Sequence, residues 1–195
     1  MKEVLGDGVG LALDCGPGFA VSDAIRLARA VEPLNVMWLE DLITGDYTPY
    51  VNAALYREVT TATATPIHTG EQIYLRQNFM DLIEQRAVSV VGPDPLDVGG
   101  IADLNGILMA PHGTGDGLLG LAALTQVCAT LPDNFIAFEY PSASTEWWPQ
   151  IVEGLPSPIV TDGFVDLPDR PGIGIDLVPE AARPYLREED VDFFD

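Results

Sequence analysis

Six polar residues each end a short apolar run, in the order Asp14, Glu40, Glu71, Asp94, His112 and Glu139. They close the stretches "LALD", "MWLE", "PIHTGE", "VVGPD", "LMAPH" and "FIAFE". An acid at one strand end ordinarily caps the following helix or stays solvated. Three in succession ask for more, because Asp14, Glu40 and Glu71 cannot all remain ionised in a partly dry pocket without a counter-ion. An all-oxygen ligand set favours Mg²⁺, with Mn²⁺ or Ca²⁺ as competitors, whereas zinc recruits nitrogen or sulfur. His112 arrives one unit after Asp94, a carboxylate able to bond its ring and fix its tautomer. The two read together as a general acid/base dyad.

The elements that must position these groups are legible in the pattern. Apolar runs of strand length alternate with stretches of helical periodicity: residues 9–14, helix 22–34, strand 35–41, helix 48–63, strand 65–71, helix 76–87, strand 88–94, strand 106–112, helix 118–131 and strand 134–140. Ser22 is a candidate N-cap for the first helix, with Ile25, Leu27, Ala28 and Val31 as its apolar face. Six strands in this rhythm predict parallel β/α units, and a parallel β/α barrel places its active site at the C-terminal ends of its strands. Side chains alternate along a strand. Ala12 therefore shares a face with Asp14, Trp38 with Glu40, Ile67 and Thr69 with Glu71, Gly92 with Asp94, Ala110 with His112, and Ala137 with Glu139. The same parity sends His68 to the opposite face, toward covering helices, in a packing role. The connection "PLDVGGIADLN" is close to the shortest right-handed crossover.

Composition narrows the function classes. The chain has 195 residues, 47% of them hydrophobic, enough for a packed core. Thirty Asp and Glu against nine Lys and Arg give a formal net charge of −21, which disfavours nucleic acid and anionic membranes as partners. Lys2 is the only lysine, so an internal Schiff base, P-loop lysine or lysine base is not available. Two cysteines, Cys15 and Cys128, make no disulfide framework, and no apolar run suits a signal peptide or membrane span, so a cytoplasmic location is expected. Cys15 has no paired base in its sequence surroundings and reads as small core filler. Residues 1–150 are expected to form a partial barrel catalytic domain, and residues 151–195 a Pro/Gly/Asp-rich tail that wraps it and contains a turn or hairpin.

The ordered motifs "LALD", "WLED", "PIHTGE", "VVGPDPLDVGGI", "APHGTG", "FEYP" and "DGFVDLPDRPGIGIDL" resemble the mandelate racemase/muconate lactonizing branch of the enolase superfamily, and within it most closely the acid-sugar dehydratases. The resemblance runs from about residue 9 to about residue 180. It implies an α/β fold, a partial (β/α)7β barrel of about six parallel strands, with Mg²⁺ held by Asp14, Glu40 and Glu71. It implies that the metal binds a substrate carboxylate while His112, paired with Asp94, removes the adjacent proton; Glu139 donates a hydrogen bond to the intermediate or orients the substrate. Arg76 contacts substrate or makes a structural salt bridge. For a sugar acid, loss of the β-hydroxyl gives a 2-keto-3-deoxy product, and a single histidine suits a syn elimination better than racemisation.

Set against that family pattern, these residues are expected to start after the capping domain and two leading strands, the second of which usually bears a Lys-x-Lys or equivalent base, and Gly16 stands where Asn or His commonly follows the first ligand. Open strand edges predict a homo-oligomer or association with a fragment that supplies the missing strands. The expected activity is a hydro-lyase acting on a small sugar acid. The alternatives are a non-catalytic metal-binding remnant or interaction module, and a racemase or cycloisomerase of the same family.

Overall fold

The computed structural model describes residues 1–6, 8–43, 51–73, 75–94, 107–113, 117–131, 134–140 and 146–195, without the side chain of Arg76. The expected short crossover at residues 95–105 and the Arg76 contact lie outside this description.

The chain forms two compact units, Met1–His112 with Leu131–Phe138, and Gly113–Thr130 with Glu139–Asp195. In the first, helix α1 (Lys2–Leu5) is followed by β1 (Leu13–Asp14), α2 (Val21–Val31), β2 (Leu39–Glu40), α3 (Ala53–Thr61), β3 (Ile67–Thr69), α4 (Met80–Glu84), β4 (Val90–Val91) and β5 (Leu108–Met109). The five strands form one sheet in sequence order, every pair parallel, as the β/α rhythm requires. The last apolar run joins by a single parallel bridge, Met109 to Phe135.

The helices are amphipathic and bury one face each. Ala24, Ala28 and Val31 are the buried stripe of α2, and Ile25 and Leu27 pack beside it. Ser22 is not the cap: α2 begins at Val21 with Ala20 in the N-cap position, which places Ser22 in the first turn. At α3 a side-chain cap is present, the Asn52 carboxamide oxygen accepting from the Leu55 N–H at 3.3 Å. The core on the helix side of the sheet gathers Leu39, Ile67 and Val91 with Tyr56, Val59, Phe79 and Leu82.

The second unit contains α5 (Gly117–Cys128), α6 (Trp148–Ile151), an antiparallel pair of β6 (Val152–Glu153) with β9 (Asp176–Leu177), a hairpin of β7 (Val160–Thr161) and β8 (Phe164–Val165), and α7 (Pro179–Ala182). The hairpin turns on Asp162 and Gly163, with φ of 51° and 85°, the pair of positive angles that a two-residue type I′ turn requires. Arg170 pairs with Asp176 and Glu153, Arg183 with Asp195 and Glu180, and Arg187 with Asp190 and Glu189. In the first unit Arg26 pairs with Asp23. No helix among the described residues is long and apolar enough to cross a membrane.

Candidate active site

Parallel pairing sets the site. Asp14 and Glu40 are register partners at the ends of β1 and β2, and Glu40 is in turn the partner of His68 in β3. The chain then leaves β3 through Gly70, whose φ of 140° is closed to other residues by strain and by the Gly92 backbone, 3.3 Å from where a Cβ would stand. Beyond that bend Glu71 returns to the strand ends. Oxygens of Glu40, Asp41 and Glu71 all lie within 4.8 Å of one another. Asp41 reaches them because its φ of 48° breaks the strand. It is 3% exposed, and its Oδ1 accepts from the Thr69 hydroxyl at 2.8 Å, which itself accepts from the Tyr56 hydroxyl at 3.0 Å.

Next to these acids stands His112. Its Nδ1 donates to Asp94 Oδ2 at 3.0 Å, and its Nε2 lies 3.3 Å from Glu71 Oε2. Asp94 is buried at 4% exposure, so its carboxylate fixes the ring while Nε2 faces the acid cluster. The electrostatics record the same convergence. Burial pushes the Glu40 carboxyl above its ordinary range; the Trp38 N–H opposes this, Asp14 and Glu71 add to it, and His112 offsets part. A half-buried carboxylate crowded by two others is chemically suited to a hard divalent cation, and the donor set is all oxygen.

The structure therefore brings together Glu40, Glu71, Asp94 and His112. Asp14 is beside Glu40 in register, but its exposed carboxylate accepts from the Gly16 N–H at 2.9 Å and stands outside the 4.8 Å trio. Glu139 is exposed in the second unit. Asp41 was missed by sequence reasoning; the acid doublet "ED" at a strand end was the available signal, and alternation alone turned it away. His68 also corrects an expectation. It does not face the helices: its ring stacks on Trp38 with centroids 5.2 Å apart, and its Nδ1 is 3.6 Å from Glu40 Oε2. Thr69, expected to share the face of Glu71, is the residue turned to Tyr56 of α3. The glycine bend shifts parity by one, so alternation counted back from Glu71 inverts the strand.

Parallel β/α units carrying carboxylates and a histidine at their strand ends define the barrel class of α/β fold. The chain belongs to the enolase C-terminal domain-like family, whose profile matches residues 1–181. It is 33% identical over 202 residues to a D-xylonate dehydratase of Haloferax volcanii, covering 99% of this chain and 47% of that protein. It is 30% identical to an L-rhamnonate dehydratase of Saccharopolyspora erythraea, covering 95% of this chain and 49% of that protein. A solved structure of a mandelate racemase/muconate lactonizing enzyme-like protein from Rubrobacter xylanophilus superposes with a TM-score of 0.85 at 33% identity, over 96% of this chain and 48% of that one. The chain thus spans about half the length of the relatives it matches, and its strands correspond to part of a barrel.

Proposed function

We propose that this chain supplies the metal-binding and acid/base residues of a sugar-acid dehydratase. The observation that carries the reading is the His112 imidazole, anchored by Asp94 on one nitrogen and facing Glu71 of the acid cluster with the other. Asp14, Glu40 and Glu71 are the proposed ligands of Mg²⁺, or of Mn²⁺, and the buried Asp41 adds a fourth negative charge beside them. When bound, the cation supplies positive charge against the substrate carboxylate.

The chain's residues then have distinct tasks. His112 Nε2 takes the proton from the carbon next to the carboxylate, and the buried Asp94 stabilises the imidazolium that results. The carbon–oxygen bond to the β-hydroxyl breaks as the carbon–carbon double bond forms. His112 returns its proton to the departing hydroxyl, which leaves as water, and the enol product tautomerises to a 2-keto-3-deoxy acid. One base on one face serves both transfers, which favours syn elimination. Glu139 is proposed either to donate a hydrogen bond to the intermediate, as the protonated acid, or to orient the substrate. The D-xylonate and L-rhamnonate dehydratases among the relatives support a sugar acid as the substrate class.

The test is incubation of the chain with Mg²⁺ and a panel of sugar acids, with 2-keto acid trapped by semicarbazide. Product that is lost in His112→Asn and in Glu71→Gln is the expected result. Asp14→Asn and Asp41→Asn separate ligand from neighbour, since only the former should abolish the Mg²⁺-dependent rise in melting temperature. A second reading is a metal-binding module without turnover, which the grouping of Glu40, Asp41 and Glu71 oxygens would equally support. It predicts that Mg²⁺ still raises the melting temperature while no 2-keto acid forms from any substrate. We also propose that the chain forms a homo-oligomer, or associates with a fragment supplying further strands, through the edges of the described sheet at β1 and at the Phe135 bridge; a monomeric mass by light scattering at assay concentration contradicts self-association.

A further inference from the structure

Glu40 is held by groups the proposed reaction does not use. Trp38 precedes it by two residues, just ahead of β2, on the same face, and the indole Nε1–H donates to Glu40 Oε2 at 2.9 Å. The indole is half-buried and stacked on the His68 ring at an interplanar angle of 20°. His68 is itself fixed: it is 2% exposed, and its Nε2 lies 3.3 Å from the Ala110 carbonyl. Behind it is Gly92, where a Cβ would stand 2.3 Å from the imidazole, so the space for the ring exists only because that position has no side chain. Residues in or flanking four strands thus form a graded support, Ala110 and Gly92 behind His68, His68 behind Trp38, and Trp38 against one oxygen of Glu40.

A glutamate has three rotatable side-chain bonds, and with Asp14 and Glu71 nearby its carboxylate has an electrostatic reason to swing away. We propose that Trp38 is a positioning residue for cation binding: its N–H occupies Oε2 of Glu40, with its plane locked by His68, and leaves Oε1 as the ligand atom. The inference rests on the reading that Glu40 binds a divalent cation. Loss of a partner that orients a metal ligand typically weakens metal binding by about 10–100-fold.

The experiment is a Mn²⁺ titration of the whole chain, with free Mn²⁺ read by electron paramagnetic resonance and the melting temperature of each metal-free protein recorded alongside. Two variants are compared with the parent: Trp38→Phe, and a chain with 3-benzothienylalanine at position 38, which keeps the bicyclic shape and stacking but has sulfur in place of N–H. Both should bind Mn²⁺ about 10–100-fold more weakly, and the benzothienyl chain should melt within a few degrees of the parent. A purely structural Trp38 would instead lower the melting temperature in Trp38→Phe and leave the benzothienyl chain with the parent's affinity. Parental binding with a benzothienyl chain that binds within twofold overturns the positioning role and leaves the metal reading standing. No Mn²⁺ binding by the parent overturns both.

Discussion

Thr69 offers the sharpest measure of how α3 is coupled to the acid cluster. Its hydroxyl donates to the buried Asp41 at 2.8 Å and accepts from Tyr56 at 3.0 Å, and the Thr69 side chain is fully buried. Thr69→Val is nearly isosteric and removes both bonds. A hydrogen bond to a charged group contributes about 1.5–3 kcal/mol and a neutral one about 0.5–1.5 kcal/mol. Asp41 and Tyr56 keep other contacts, which limits the loss, so about 2–4 kcal/mol is expected. Tyr56→Phe removes only the neutral bond and should cost about 0.5–1.5 kcal/mol. Because the two changes share that bond, the double variant should be less destabilised than the sum of the singles, by an interaction energy of roughly 0.5 kcal/mol or more. Urea unfolding followed by far-ultraviolet circular dichroism gives all four values. The reasoning fails if Thr69→Val is no more costly than Tyr56→Phe, or if the two effects simply add.

Other outcomes follow from single groups. Glu40 has its carboxyl raised above the ordinary 4.5, chiefly by burial, so its contribution to stability is complete below that value and is lost as pH rises through the folded-state value. In metal-free buffer Glu40→Gln should therefore melt higher than the parent at neutral pH, with the gap closing on acidification below 4.5; a gap that widens toward acid contradicts the sign. Burial pushes the Cys128 thiol up to about 12, so native protein at pH 8 should resist iodoacetamide at Cys128 and be alkylated there only after unfolding, as peptide mass spectrometry will show. Gly92→Ala would set a Cβ 2.3 Å from the His68 ring and 2.8 Å from the Ala110 carbonyl, and overpacking of this kind costs about 1–3 kcal/mol in urea unfolding.

What could be read in advance divides along physical lines. The β/α rhythm gave the parallel sheet because buried strands must be apolar and their covering helices amphipathic, as the Ala24, Ala28 and Val31 stripe shows. The pairing of Asp94 with His112 was legible for the same reason: each ends an apolar run, and neighbouring parallel strands bring their ends together. Conformations that break the regular period were hidden. One glycine at position 70 reverses the facing of His68 and Thr69, and a left-handed Asp41 enters a cluster from which alternation excludes it. Neither could be found by counting, since both depend on a backbone angle. Ser22 failed for a milder reason: helix ends are set within a residue or two by packing, and the helix began at Val21 with Ala20 in the cap position.

The arginine pairs have a consequence for the medium in which this protein holds its shape. Arg26, Arg170, Arg183 and Arg187 already lie against carboxylates, yet they belong to a set of nine basic residues facing thirty acidic ones. The balance of positive charge has to come from dissolved cations. At about 0.01 M salt the screening length is roughly 30 Å, and acids across an entire unit feel one another; at about 1 M it shrinks to roughly 3 Å and only immediate neighbours interact. Ionic strength should therefore be a folding variable for this chain, and dilution into a salt-poor buffer should lower its melting temperature.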